Sequence, residues 1–190
     1  MNYIKYLQFW FYGILKKEKI ITDTSKSVFD INFNELKKKT NLVIFDFDDT
    51  LVDFGGKLNL KTINFLKSLT NKGFKVSVFS NCTKKRLEEL NNVLEKINVY
   101  NKSGSSKPAP DGFLEIMSHF NMKPENTIAV GDKIGTEMYG AYLAKIKYRI
   151  LVDPFSNTFG GKKASIFHRI VRSFEKYFYF IDKPFRTRVK

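Results

Sequence analysis

Apolar residues in this chain cluster in short, nearly continuous runs at Leu42 to Phe45, Val76 to Phe79, Thr127 to Val130 and Tyr148 to Val152, each stopping at polar or small residues. Runs of that length, rich in Val, Ile and Phe, predict strands buried on both faces of a parallel sheet. Between them the apolar spacing changes. Leu58, Ile63, Leu66 and Leu69 predict an amphipathic helix over 58–72 stopped by Gly73, and Leu87, Leu90, Val93, Leu94 and Ile97 predict a second over 83–97. A short strand at 99–100 and helices over 112–122 and 134–144 complete the series, with the 148–152 run closing the sheet. Strand alternating with helix predicts an α/β fold, a doubly wound parallel sheet with right-handed crossovers. In such folds ligands sit at the carboxyl ends of the strands.

The chemistry of the chain lies at those ends. Leu42 to Phe45 delivers Asp46, Asp48 and Asp49, with Thr50 behind. Three carboxylates within four residues repel one another unless a cation lies among them, and hard oxygen donors at close spacing suit magnesium. Ser80 and Asn81 follow the second run, Lys107 and Pro108 follow a small loop at 103–106, and Gly131 and Asp132 follow the Thr127 run, with Glu137 five residues on. Taken alone, each has a plainer reading: Asp46 or Asp48 as a turn former, Ser80 as a helix cap, Lys107 as a solvated lysine, Glu137 as a partner of the helix dipole.

The ordered set resembles motifs I to IV of the haloacid dehalogenase (HAD) phosphohydrolases: Asp46-x-Asp48-x-Thr50, Ser80, Lys107, and Gly131-Asp132 with Glu137. Upstream, Lys26 to Ile31, together with Arg86 and the Lys107-Pro108 pair, resembles the YqeG-like branch of type IIIA HAD phosphatases, a likeness covering roughly residues 22 to 175. Eukaryotic members of that branch are phosphatidylglycerophosphate phosphatases, and the fold implied is a Rossmann-like HAD core. The resemblance implies a magnesium-dependent phosphatase. Asp46 would be the nucleophile and Asp48 the acid and base, with its carbonyl also reaching the metal. Asp132 would share the metal with Asp46, supported by Glu137. Ser80, Asn81 and Lys107 would bind phosphate, helped by the backbone amides of Phe47 and Asn81, and Thr50 would brace the loop. The chain departs from the branch at Asp49, Lys133 and Glu137, where Asn, Gln and Asp are usual; the extra charge at Asp49 would alter metal affinity or face solvent.

Only 29 residues separate Thr50 from Ser80 and 26 separate Ser80 from Lys107. Neither gap holds a further domain, so the enzyme is expected to be capless, with Gly55 and Gly56 forming a flap turn. Three parts are expected: an aromatic segment over 1–21, a catalytic domain over 22–165, and a basic amphipathic helix and tail over 166–190. From Tyr3 to Leu15 aromatic and apolar residues precede lysines, and the segment is too short to span a bilayer. It reads as an interfacial anchor or as a helix docked on the domain. Ile166, Ile170, Phe174, Phe178 and Ile181 form one helical row with Arg169, Arg172 and Lys176 off it, suited to anionic lipid or to capping the sheet.

Thirty-three basic against nineteen acidic residues give a formal charge of +14, which favours anionic partners; compositional bias toward lysine is the plainer source. The single cysteine, Cys82, excludes an internal disulfide and fits a reducing cytoplasm, where it reads as a packing residue. His119 and His168 lack metal-ligand spacing and read as packing or solvent residues. The expected partners are a phosphorylated substrate and anionic lipid, with the protein cytoplasmic and peripheral on the inner face of the membrane. The alternatives are a phosphatase of nucleic-acid ends or soluble phosphometabolites, and a non-catalytic RNA- or ribosome-binding protein. No aromatic-basic interleaving marks a base-stacking platform near the motifs.

Overall fold

The computed structural model describes residues 20–81, 84–102 and 107–180. The aromatic segment 3–15, Cys82, the loop 103–106 and the tail 183–190 lie outside the described residues.

Six parallel strands form one sheet: β1 (Asp23–Ser25), β2 (Leu42–Phe45), β3 (Lys75–Phe79), β4 (Val99–Lys102), β5 (Thr127–Gly131) and β6 (Tyr148–Val152), in the spatial order β1, β6, β5, β2, β3, β4. All pairings are parallel. The helices are α1 (Phe33–Lys37), α2 (Leu60–Asn71), α3 (Lys84–Leu94), α4 (Asp111–His119), α5 (Tyr139–Leu143), α6 (Phe155–Thr158) and α7 (Ile166–Phe180), with a π-helical turn at Ile134–Met138 leading into α5. This is the expected α/β architecture. Two details differ. The Tyr148–Val152 strand is not the edge, because the short polar strand Asp23–Ser25 pairs outside it, and the helix expected over 134–144 begins as a π turn.

β2 is central because its side chains are apolar in both directions. Val43 and Phe45 enter a core under α2 with Phe33, Leu66, Leu69 and Val76. Leu42 and Ile44 face the other side, with Phe79, Phe113, Ile116 and Ile146. The 3.3 Å strand repeat, with faces alternating at every residue, thus fixes which side each residue serves. α2 starts at Asn59, whose side chain accepts the Thr62 amide, and the Thr62 hydroxyl in turn donates to Leu51 O at 2.9 Å. The helix is therefore tied to the loop after β2. α4 stops at His119 because Asn121 turns to a left-handed φ of 51°. His119 is stacked on Tyr100 with centroids 4.0 Å apart, a packing role.

Among the described residues, β2 and β4 are separated only by α2, β3, α3, a 3-10 turn at Glu95–Ile97 and a turn at Gly55 and Gly56, with no further folded insert. Ile20 and Ile21 are buried against Ile134, Met138, Tyr139 and Leu151. No described helix is long and apolar enough to cross a membrane.

Phe45 is fully buried, against Phe33 and Phe65 at 6.0 and 5.9 Å between ring centroids, immediately before Asp46. Phe45→Ala should destabilise the fold by about 3–5 kcal/mol, measured by denaturant unfolding; a loss below about 1 kcal/mol would place the core elsewhere.

Candidate active site

Strand register assembles the site. Phe45 aligns with Val130, and the Asp46 amide donates to Val130 O at 2.9 Å, so Asp46 and Asp132 leave neighbouring strands side by side. Behind Asp46 the chain turns sharply: the amides of Thr50, Leu51 and Val52 all converge on Phe47 O, and Asp49 takes a positive φ of 62°. The Thr50 hydroxyl lies 3.4 Å from both Asp46 Oδ2 and Asp132 Oδ1.

The segment after β4 supplies the cation. Lys107 is buried, with Nζ paired to Asp46 Oδ1, 3.0 Å from Glu137 Oε1 and donating to Phe79 O at 2.9 Å. Its backbone amide donates to the Asn81 side chain at 3.2 Å. Ser80 is buried at the end of β3, its amide donating to Lys102 O. Glu137 reaches the site because the turn that carries it is π-helical, closed by the Met138 amide on Lys133 O at 3.2 Å. A single wide turn of this kind re-aims a side chain without ending the helix. Gly131 makes room: a Cβ there would come within 2.7 Å of Glu137 Cβ and Cγ.

Asp46, Asp132 and Glu137 each offer a carboxylate oxygen, all within 4.8 Å of one another, and all three are buried. Asp132 Oδ2 is buried without a hydrogen bond. Three buried carboxylates that converge as hard oxygen donors fit a divalent cation of the magnesium class. The Asp48 carboxylate lies outside this triad. It accepts from Arg86 Nη1 at 2.8 Å and from the Gly55 amide at 2.9 Å, with its side chain 19% exposed. Arg86 also donates to Gly56 O and lies over the Phe47 ring, so it holds the flap as well as Asp48.

Arg172 was not anticipated. It extends from α7 into the site, 92% shielded, with Nη1 2.9 Å from Asp49 Oδ2 and Nη2 2.5 Å from Asp132 Oδ2. Asp49 is fully buried, not facing solvent. Lys133 Nζ stands 3.3 Å from Asp132 Oδ1. Of the apolar row on α7, Ile166, Ile170 and Phe174 are each at least half exposed. The helical spacing placed Arg172 off that row, on the basic side of the helix. Its only signal in the sequence was the extra acid at Asp49, which needs a cation when buried.

Burial pushes the Asp46 carboxyl up to about 6, with Lys107 opposing and Glu137 adding to the rise. Burial likewise raises Asp132, against Lys133 and Arg172. Burial would also raise Glu137, but Lys107, Lys133 and the Thr136 hydroxyl together hold it down at about 2. Lys107 would be lowered by burial, but Asp46 and Glu137 keep it above its ordinary value. A protonatable carboxyl beside a fixed carboxylate and an ammonium is the pattern of a cation-binding, charge-handling site.

The family model described as haloacid dehalogenase-like hydrolase matches residues 56–150. The chain belongs to that family. The match begins after Asp46, which the β2–β5 register places beside Asp132. "Probable phosphatase YqeG" of Bacillus subtilis is 25% identical over 149 residues, covering 77% of this chain and 84% of that protein. The glyceraldehyde 3-phosphate phosphatase of Pyrococcus furiosus is 38% identical over 53 residues, 28% of this chain and 22% of its own length. Among solved structures, a HAD phosphatase from Thermococcus onnurineus aligns with a TM-score of 0.44 and 18% identity, over 57% of this chain and 60% of that one. The parallel sheet with flanking helices is the HAD-like α/β fold, and the protein is a hydrolase of this family.

The raised Asp46 gives a signed pH dependence. Between the ordinary 3.8 and about 6 the folded protein holds more protons than the unfolded chain, so this group's contribution falls as pH rises through that window, by on the order of 3 kcal/mol in full. In EDTA, Asp46→Asn should therefore gain unfolding temperature relative to wild type between pH 4 and pH 7. A gap that shrinks over that range would contradict the raised carboxyl.

Proposed function

We propose that the protein is a magnesium-dependent phosphomonoester hydrolase acting through an aspartyl-phosphate intermediate. The observation that supports it most is the buried triad of Asp46, Asp132 and Glu137, with the Lys107 ammonium paired to Asp46 and Glu137. Phosphatase relatives point the same way.

A phosphate monoester resists attack because its oxygens are anionic. Lys107, held protonated between Asp46 and Glu137, balances that charge, and Ser80 and Asn81 at the end of β3 would hold the remaining oxygens. A bound magnesium ion, held by Asp46 and Asp132 with Glu137 behind, would neutralise phosphoryl oxygen charge. An Asp46 oxygen attacks phosphorus as the ester P–O bond breaks, and Asp48 gives its proton to the departing alkoxide. Water then attacks the aspartyl phosphate, losing its proton to Asp48, and the Asp46 carboxylate is released with inorganic phosphate. Asp48 suits the proton traffic because it is the most exposed carboxylate of the set, while Asp46 and Asp132 are shut away.

The favoured substrate is a phosphorylated anionic lipid of the phosphatidylglycerophosphate class. The +14 charge and the exposed Ile166, Phe167, Ile170, Phe174 and Tyr177 on α7 support it. That reading places the protein in the cytoplasm, peripheral to the membrane.

With magnesium, purified protein should release phosphate from an aryl phosphate, and Asp46→Asn should lose at least about 10³-fold in kcat; equal rates for the two would end the hydrolase mechanism. Vesicle flotation should recover the protein with anionic phosphatidylglycerol vesicles and leave it behind with neutral ones. Failure to float on either would remove the lipid substrate while leaving the phosphatase reading intact.

A further inference from the structure

α7 reaches the site through Arg172. The chain before it is fastened twice to the loop after β2: the Phe155 amide donates to Asp49 O at 2.7 Å and the Ser156 amide to Asp49 Oδ1 at 3.2 Å. The Lys162 amide donates to Asp53 Oδ2 at 2.7 Å, and the Phe54 amide returns to Lys162 O. Asp49 is thus a junction whose backbone, Oδ1 and Oδ2 all have partners, and Oδ2 is given to Arg172.

We propose that Arg172 is a positioning residue that sets Asp132 for a divalent ion, with Asp49 as its anchor. The assignment rests on the metal-site reading above. Asp132 presents two edges. Oδ1 faces Thr50, which also touches Asp46 Oδ2, so this edge lies on the side shared with the nucleophile, with the partly exposed Lys133 Nζ at 3.3 Å from it. Oδ2 faces Arg172 at 2.5 Å. A guanidinium on the far edge leaves the Asp46 side to an ion and stops the carboxylate from rotating away. The contact with Asp49 is an aligned hydrogen bond, whereas that with Asp132 is an ion pair without hydrogen-bond alignment, so Asp49 fixes Arg172 and Arg172 steers Asp132. This accounts for an acid at 49. An amide could still accept from Ser156, but it would carry no charge to hold a buried guanidinium. Without Arg172, Asp49 and Asp132 would be two buried carboxylates repelling each other beside the metal position. Partners that orient a metal-binding carboxylate govern affinity by about 10–100-fold.

Mn2+ alone, titrated into the full chain and followed by EPR of the free ion, tests this without catalysis. Arg172→Gln and Asp49→Asn should each weaken binding by about 10–100-fold. Arg172→Lys should recover only part of the loss, since an ammonium lacks the planar fork that spans two carboxylates. The Asp49→Asn/Arg172→Gln pair should be no worse than Arg172→Gln, because both act through one contact. Arg169→Gln, on the same helix and exposed, should match wild type. Unfolding in EDTA checks that each variant folds, and Asp49→Asn, which retains the Ser156 acceptor, carries the test if Arg172→Gln does not. Mn2+ binding by either variant as tight as wild type, or tighter, overturns the positioning role alone. No saturable binding by wild type, or none lost in Asp132→Asn, overturns the metal reading and this assignment with it.

Discussion

The register between β2 and β5 is the constraint on which this protein turns. Pairing Phe45 with Val130 forces Asp46 and Asp132 out of the sheet together, and two buried carboxylates at that separation repel. Everything around them answers that repulsion. Lys107 arrives after β4, Lys133 follows Asp132 itself, and Arg172 comes from the far end of the chain. Counting Asp48 and Asp49 with the triad, five carboxylates face four cations once Arg86 is included. One negative charge is left over, which attracts a cation before any substrate is present.

Such an arrangement is a burden on stability. Burying ions costs several kcal/mol each before their mutual attraction is counted. The core on both faces of β2, with its interlocked phenylalanines Phe33, Phe45 and Phe65, offsets that cost, and it lies directly beneath the charged end of the sheet. The apolar run that reads as a buried strand and the acidic cluster that follows it are therefore two halves of one device. The strand stabilises a site that would not hold itself together.

Much of this was legible in the residues. Leu42 to Phe45 and the acids after it announced both a buried parallel strand and the place of the chemistry, and the resemblance to the HAD motifs singled out Lys107 and Asp132. What escaped detection did so for physical reasons. Asp23–Ser25 is three polar-leaning residues whose strand character comes only from pairing with β6. α1 is five residues long and shares its end with a lysine run, so periodicity had nothing to work on. Arg172 was hidden by a rule that usually holds: an arginine off the apolar row of a helix points to water. Here Ile166, Ile170 and Phe174 of the row are exposed and the arginine is buried, because a charged partner 123 residues away in sequence outweighed the pattern.

The π turn at Ile134–Met138 has an evolutionary corollary. An α-helix advances about 100° per residue, so a turn holding one residue more than usual is what swings Glu137 toward Lys107 while Met138 and Tyr139 keep their place against Ile20, Ile21 and Leu151. Loss of one residue in this stretch would let the helix relax to ordinary winding with its hydrophobic contacts largely intact, yet rotate the acid away from the ammonium. Lineages of this fold could thus gain or shed an acidic group through a single-codon indel, leaving the scaffold undisturbed.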